Sequence, residues 1–212
     1  MKLGEIKLEA LMLMYPSISI PYNANDTESI TEAVFNLKAD TSLGELLTAS
    51  VGAINRALFQ LESRGLTNEA KAYLSKETLG NRRGDVLVSF DKMLTDYLAI
   101  KGLFAVCDGE VSECEYKAVS SGDIIFNMNP SCSYLVVYKQ AFQRITQITG
   151  DGYELSLPRE LEPAILYATA AELLADEDAE KSNLFKKELD EIAMRYESSG
   201  GSAPQVACKY CI

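Results

Sequence analysis

The apolar residues of this chain change their spacing twice, and no other feature of the sequence limits the fold as tightly. Up to Leu66, and again beyond Leu157, they recur every third or fourth position; from Lys71 to Leu157 they recur every second one. The first spacing gives a helix one apolar face, and the second does the same for a strand. The order predicts an α+β fold: a helix bundle of about four helices with an antiparallel β-lobe inserted into it. The expected boundaries are residues 1–70 and 153–197 for the bundle, 71–152 for the β-lobe and 198–212 for a C-terminal docking tail. A chain of 212 residues that is 47% apolar can bury one real core and a smaller lobe.

In the first helical part, Leu3, Ile6, Ala10 and Leu13 predict a short amphipathic helix over Met1 to Tyr15, ended by Pro16 and Pro21. Residues 17–40 are mixed and turn-rich, with Asn23, Asn25 and Asp26, and part of them is expected to be extended. Ser42 with Glu45 three residues on has the form of a capping box. Leu43, Leu46, Leu47, Val51, Ile54, Leu58 and Leu61 then make one stripe, and Gly65 follows as a helix-ending glycine. Asn55, Arg56 and Glu62 fall on the opposite face. At the other end of the chain, Pro158 suits a helix start. Leu161, Ile165, Leu166, Ala170, Leu173 and Leu174 predict a helix ending near Ala175. Asp176, Glu177 and Asp178 are well placed as N-terminal charge for a last helix carrying Leu184, Phe185, Leu189, Ile192 and Tyr196. A Ser/Gly-rich linker begins at Ser198 and leads to the tail Ala203 to Ile212.

Between the helical parts the expected strands are residues 72–75, 86–90, 97–107, 115–119, 123–128, 134–138 and 153–157. They are rich in Tyr, Val, Ile and Phe, and Asn81, Gly84, Asp108-Gly109, Ser121-Gly122 and Asp151-Gly152 punctuate them. The Asp-Gly pairs are turn signals because glycine tolerates positive φ.

The formal charge is −11 and the pI about 4.6. Residues 151–197 hold 13 acidic and 5 basic residues, so most of the net charge lies there. A solvated helix face accounts for this; a face turned toward a DNA passage or a basic partner is the sharper reading. An acidic chain grips duplex DNA poorly, because phosphate binding needs clustered Lys and Arg. No apolar run approaches a membrane span, and Lys2, Glu5, Lys7 and Glu9 interrupt the N-terminal segment, so neither export nor membrane insertion is expected. Five cysteines in such a chain are expected to be reduced thiols of a cytosol.

The chain has no histidine, which removes the commonest general base, nucleophile activator and metal ligand. Gly-x-Ser-x-Gly, Walker and Gly-x-Gly-x-x-Gly motifs are absent. Glu160/Glu162 and Glu188/Glu191 are acidic pairs that read as helix surface. No catalytic residue, cofactor or metal is expected, and the chain is read as a non-enzyme. Cys208 and Cys211 form a Cys-x-x-Cys whose one route to a structural zinc would add Cys107 and Cys114; two small thiols in a docking tail are the plainer reading. Arg83-Gly84-Asp85 reads as a turn, and the sequon at Asn25 carries no weight in a chain expected to stay in the cytosol. The eleven tyrosines fall mostly at strand positions, where they pack cores or interfaces.

Residues Ala53–Leu66 (AINRALFQLESRGL) resemble the N-terminal helix of the head–tail adaptor, or connector, proteins of tailed bacteriophages. Ser133–Thr146 (SYLVVYKQAFQRIT) and Tyr153–Asp178 (YELSLPRELEPAILYATAAELLADED) resemble their C-terminal half, in which a strand ends in Leu-Pro and an alanine-rich helix ends in a Leu-Leu-acidic turn. Ala179–Glu197 (AEKSNLFKKELDEIAMRYE) is similar to their last helix. The order of elements is similar to that of the tail tubular A proteins of short-tailed phages, and these stretches cover roughly a third of the chain. The β-lobe is larger than in the smallest adaptors.

The resemblance implies a homo-oligomeric ring, usually of twelve copies, docked under the portal protein at the head–tail junction of the virion and assembled in the host cytoplasm. The bundle would form the ring wall, and a next tail or stopper component would bind the far face. Double-stranded DNA would pass through the centre without specific binding. The tail would grip the portal, and Gln205, Val206, Lys209, Tyr210 and Ile212 are its expected contacts. Side-to-side ring closure needs two different complementary patches per subunit, which a bundle and a β-lobe can supply. Another phage neck, stopper or tail-tube ring protein is the alternative, and a small cytosolic α+β enzyme a more distant one.

Overall fold

The computed structural model describes residues 1–75, 77–80 and 82–198. The chain is a mixed α+β protein in two compact units. One combines Met1–Leu66 with the described residues from Arg144 onward; the other is Thr67–Gln143. The strand-rich part therefore ends at Gln143, and residues 144–152, expected in the β-lobe, belong to the helical unit.

The helical unit starts with α1 (Leu3–Met14), α2 (Thr27–Leu37) and α3 (Thr41–Ser63). Helix α1 is buried nearly all round rather than amphipathic: Leu3, Ile6, Leu8, Ala10, Leu11 and Met14 are buried, and so is Lys7. Lys7 tolerates this because its ammonium meets the Asp151 carboxylate at 2.7 Å. Helix α2 lies where turns and extended chain were expected. Asp26 caps it by accepting from Glu28 N–H, and Ile30, Ala33 and Val34 bury its inner face. The cap of α3 is Asp40, not Ser42: its carboxylate accepts from the N–H groups of Ser42 and Leu43, both at 3.0 Å. Asp40 competes well there because a carboxylate also meets the positive end of the helix dipole.

Helix α3 ends as expected. Gly65 sits at φ 75°, Leu66 N–H returns to Leu61 C=O and Gly65 N–H to Glu62 C=O. The residues assigned to its outer face are engaged. Asn55 bonds Ile145, Arg56 pairs with Glu172 at 2.5 Å, and Glu62 pairs with Arg144. A single 3₁₀ turn (Arg159–Leu161) leads into the next long helix, Glu162–Leu173, and the last helix is Ala179–Ser198. The former buries Ala164, Ile165, Ala168, Thr169, Ala170 and Ala171, and its four alanines let helices close in on several sides. Asp178 caps the latter by accepting from Lys181 N–H at 2.9 Å. Its buried stripe is Ser182, Phe185, Leu189 and Ala193; Leu184, expected inside, is exposed, since it lies one 100° step from Phe185.

The other unit holds β1 (Asn68–Leu74), β2 (Gly84–Ser89), a single helical turn α4 (Phe90–Met93), β3 (Tyr97–Cys107), β4 (Glu110–Glu113), β5 (Tyr116–Ala118), β6 (Asp123–Met128) and β7 (Ser133–Gln140). The two long helices that close the helical unit are thus α5 and α6. Two antiparallel sheets form, ordered β1-β7-β3-β4 and β2-β6-β5. Their inner faces share one core containing Leu74, Val86, Phe90, Leu103, Phe126, Tyr134 and Val136. Strand β4 was not foreseen: its four residues are all exposed, so they carry no alternation to read. The strand expected over 153–157 shrinks to one bridge, Glu154 with Lys2. Its partner enters α1 at once, leaving no length to pair.

Two of the expected free thiols are joined: Cys107 and Cys132 form a disulfide, while Cys114 is free. Cysteine count could not reveal this, because the pairing follows from the register of β3 against β7. Val106 lies opposite Ser133, which sets Cys107 opposite Cys132 with Cα atoms 4.5 Å apart.

Candidate functional site

The expected portal contacts Gln205, Val206, Lys209, Tyr210 and Ile212 lie outside the described residues, as do Cys208, Cys211 and Asn81. The zinc set weighed from the sequence loses Cys107 to the disulfide. Among the described residues no three Cys, Asp or Glu side chains are grouped so as to hold a metal ion. The acidic pairs sit on helical surface, with Glu191 joined to Arg195 one turn on at 3.0 Å. Gly84 opens β2 at φ 87°, with Asp85 accepting from Asn127 across the sheet, and the sequon region serves as the cap of α2. Among the described residues no helix is long and apolar enough to cross a membrane.

Two of the open depressions formed by the described residues are lined by ionisable side chains. One, of about 550 Å³, is lined by Asp178, Glu180, Lys181, Asn183, Leu184 and Lys187. Two of its polar groups already have structural work: Asp178 caps α6, and Lys181 donates to the Met14 carbonyl. The other, of about 530 Å³, is lined by Glu113 to Tyr116 in the strand-rich unit. Burial pushes the Cys114 thiol up there, which makes it a poor nucleophile near neutral pH.

Three of the perturbed ionisable groups act as clamps. Burial, and then the Glu9 carboxylate that accepts its hydroxyl proton, hold the Tyr22 phenol well above its ordinary range. Tyr134, raised by burial, accepts from Asn129 N–H at 2.7 Å. Asp123 is lowered by hydroxyl donation from Ser89 and then from Ser120.

The surface feature sequence reasoning missed is apolar. On the outer face of β1-β7-β3, Tyr73, Leu135 and Phe104 stand in register across three strands and Val137 adjoins them; Leu135 and Val137 are buried and Phe104 is half-buried. Tyr73 is 75% exposed. The Phe104 ring lies over Gly102, where a Cβ would come within 2.9 Å of it. On the outer face of the other sheet, Leu87 is opposite Ile125, and exposed Val119 follows β5. The helical unit exposes Phe35 on α2, Phe59 on α3 and Met194 on α6, each more than 60% accessible. The alternating pattern held a signal for the sheet faces: Tyr73, Phe104 and Leu87 occupy positions that strict apolar-in, polar-out alternation would give to polar residues.

The chain matches no protein-family model and no curated protein.

Proposed function

We propose that this chain is a structural subunit of a head–tail adaptor ring, docked between the portal and the tail of a bacteriophage, with DNA passing through the ring. The observation that carries the reading is that each unit exposes its own large apolar side chains. Tyr73 and Leu87 lie on the sheets of one unit, with Val119 just after β5, and Phe35, Phe59 and Met194 on the helices of the other. A ring subunit needs two unlike surfaces, one for the neighbour on each side. Large apolar side chains exposed on both units offer contact area to neighbouring subunits.

Charge and covalent structure agree with this reading. Residues 1–66 and 144–212 hold 21 acidic and 12 basic residues, against 10 and 8 in 67–143. An acidic lining would let DNA slide, because it offers phosphates no cation to hold them. A disulfide suits a particle that leaves the reducing cytosol. The apolar sheet faces equally suit a neck, stopper or tail-tube ring, and the identity of the bound neighbour separates the two readings.

The test is docking to the purified portal ring of the parent phage, read by sedimentation and negative-stain microscopy. A ring capping one end of the portal is expected. The chain truncated after Ser202 should keep its circular dichroism and fail to dock. A chain that stays monomeric beside portal rings removes the adaptor reading, and a truncation that docks normally removes the tail as the portal contact.

A further inference from the structure

We infer that Cys107 and Cys132 form a latch that closes only after the strand-rich unit has folded, so that this unit exists folded both with the pair reduced and with it joined. The inference does not depend on the function proposed above.

Hydrogen-bonded turns flank both sulfurs. Cys107 is the last residue of β3 and opens the hairpin to β4, where Asp108 and Gly109 take φ 51° and 86°. Two consecutive positive φ values make a hairpin turn whose twist matches its strands, so the turn holds its shape without a covalent tie. Cys132 lies where the chain passes from β6 of one sheet to β7 of the other. That crossover has its own clamps. Cys132 N–H returns to Asn129 C=O, Ser131 N–H bonds the Asn129 side chain, and the Tyr134 hydroxyl accepts from Asn129 N–H. Tyr134 is anchored in turn by its edge-on contact with Phe126 at 5.0 Å. Hydrogen bonds and packing on both sides thus set the register that places the two cysteines opposite each other. The reduced pair is already aligned, and closure proceeds at a high effective concentration of one thiol for the other.

Exposure orders the chemistry. Cys132 is buried, while Cys107 is only partly covered. With a small-molecule disulfide such as oxidised glutathione, the Cys107 thiolate attacks first and releases one glutathione. The Cys132 thiolate then attacks the Cys107 sulfur and releases the second. One S–S bond forms within the protein as one is lost from the oxidant, and the two thiol protons end on two glutathione thiols. Cys114 does not compete: it lies opposite Leu103, four residues back along β3 from Cys107, and its thiol is held up by burial.

The full chain, refolded in a phosphine reductant, provides the test. Hydrogen exchange should show β3 and β7 protected while every thiol is free. Oxidised glutathione should then join Cys107 to Cys132, as read by peptide mapping, with Cys114 still open to alkylation and any transient adduct on Cys107. Tyr134→Phe removes the hydroxyl that holds Asn129 and should slow ring closure, so that the Cys107 adduct accumulates. Unprotected strands in the reduced chain would overturn the inference, as would a Cys114 pairing or a first adduct on Cys132. Closure of Tyr134→Phe at the unaltered rate would remove the claim that this clamp aligns the pair.

Discussion

Asn55 holds Ile145 by both of its backbone polar groups. The side-chain amide donates to Ile145 C=O at 2.8 Å and accepts from Ile145 N–H at 3.0 Å. A residue in the middle of α3 thus stands in for a neighbouring strand, at the point where the chain returns to the helical unit with Ile145 buried. Asn55→Ala should cost about 2 kcal/mol in urea unfolding, because it strands a donor and an acceptor out of water. Asn55→Asp, which keeps the acceptor but sets a carboxylate oxygen against the Ile145 carbonyl, should lose at least as much at neutral pH. Equal stability of all three would show that the pair contributes nothing.

The Lys7–Asp151 pair is nearly closed off from solvent on both sides, with side chains 7% and 13% exposed. Removing one partner leaves the other charge buried and alone. Lys7→Met or Asp151→Leu singly should therefore cost about 3 kcal/mol. The double variant should cost much less than the two single changes combined. A double-mutant cycle by chemical unfolding measures this, and additive losses would contradict it.

Gly4 and Gly150 make a matched contrast. A Cβ on Gly4 would meet Ile30 Cγ2 at 2.5 Å and Asp151 Cβ at 2.9 Å, whereas one on Gly150 would meet nothing within 4 Å. Gly4→Ala should destabilise by about 1–3 kcal/mol through overpacking between α1, α2 and the returning loop. Gly150→Ala should be neutral or slightly stabilising, since it only restricts the unfolded chain. Thermal midpoints of the two variants give the comparison directly.

Asp123 accepts hydroxyl protons from Ser89 and Ser120, which holds its carboxyl below the ordinary value of 3.8. A folded pKa below the unfolded one means that the unfolded chain binds the proton more readily. The stabilisation is full above 3.8 and is lost as pH falls from there through the folded pKa. A carboxyl-carbon NMR titration should place the Asp123 midpoint below 3.8, and Ser89→Ala should move it up. An unchanged midpoint in Ser89→Ala would show that the hydroxyl is not the cause.

Helices α1, α3, α5 and α6 and the strands β2, β3, β5, β6 and β7 were legible in the sequence from the spacing of their apolar residues, although α1 and α5 are buried on several sides. Helix α2 was legible in principle: Asp26 stands at its cap, and Ile30, Ala33, Val34 and Leu37 keep helical spacing through a stretch that its many polar residues made look turn-rich. Of the surface now put forward, only the misplaced apolar residues on the strands left a trace, and the expected portal contacts lie outside the described residues.

Local order along the chain was determined by the sequence alone, since the period of apolar residues and the turn chemistry at Gly65 and Asp108-Gly109 act between near neighbours. Burial of Lys7, the use of Asn55 as a strand partner and the union of Cys107 with Cys132 were decided only by tertiary structure. Each joins residues separated by 25 to 144 positions. Contacts of that kind depend on which backbone the fold brings alongside, and no local pattern encodes it.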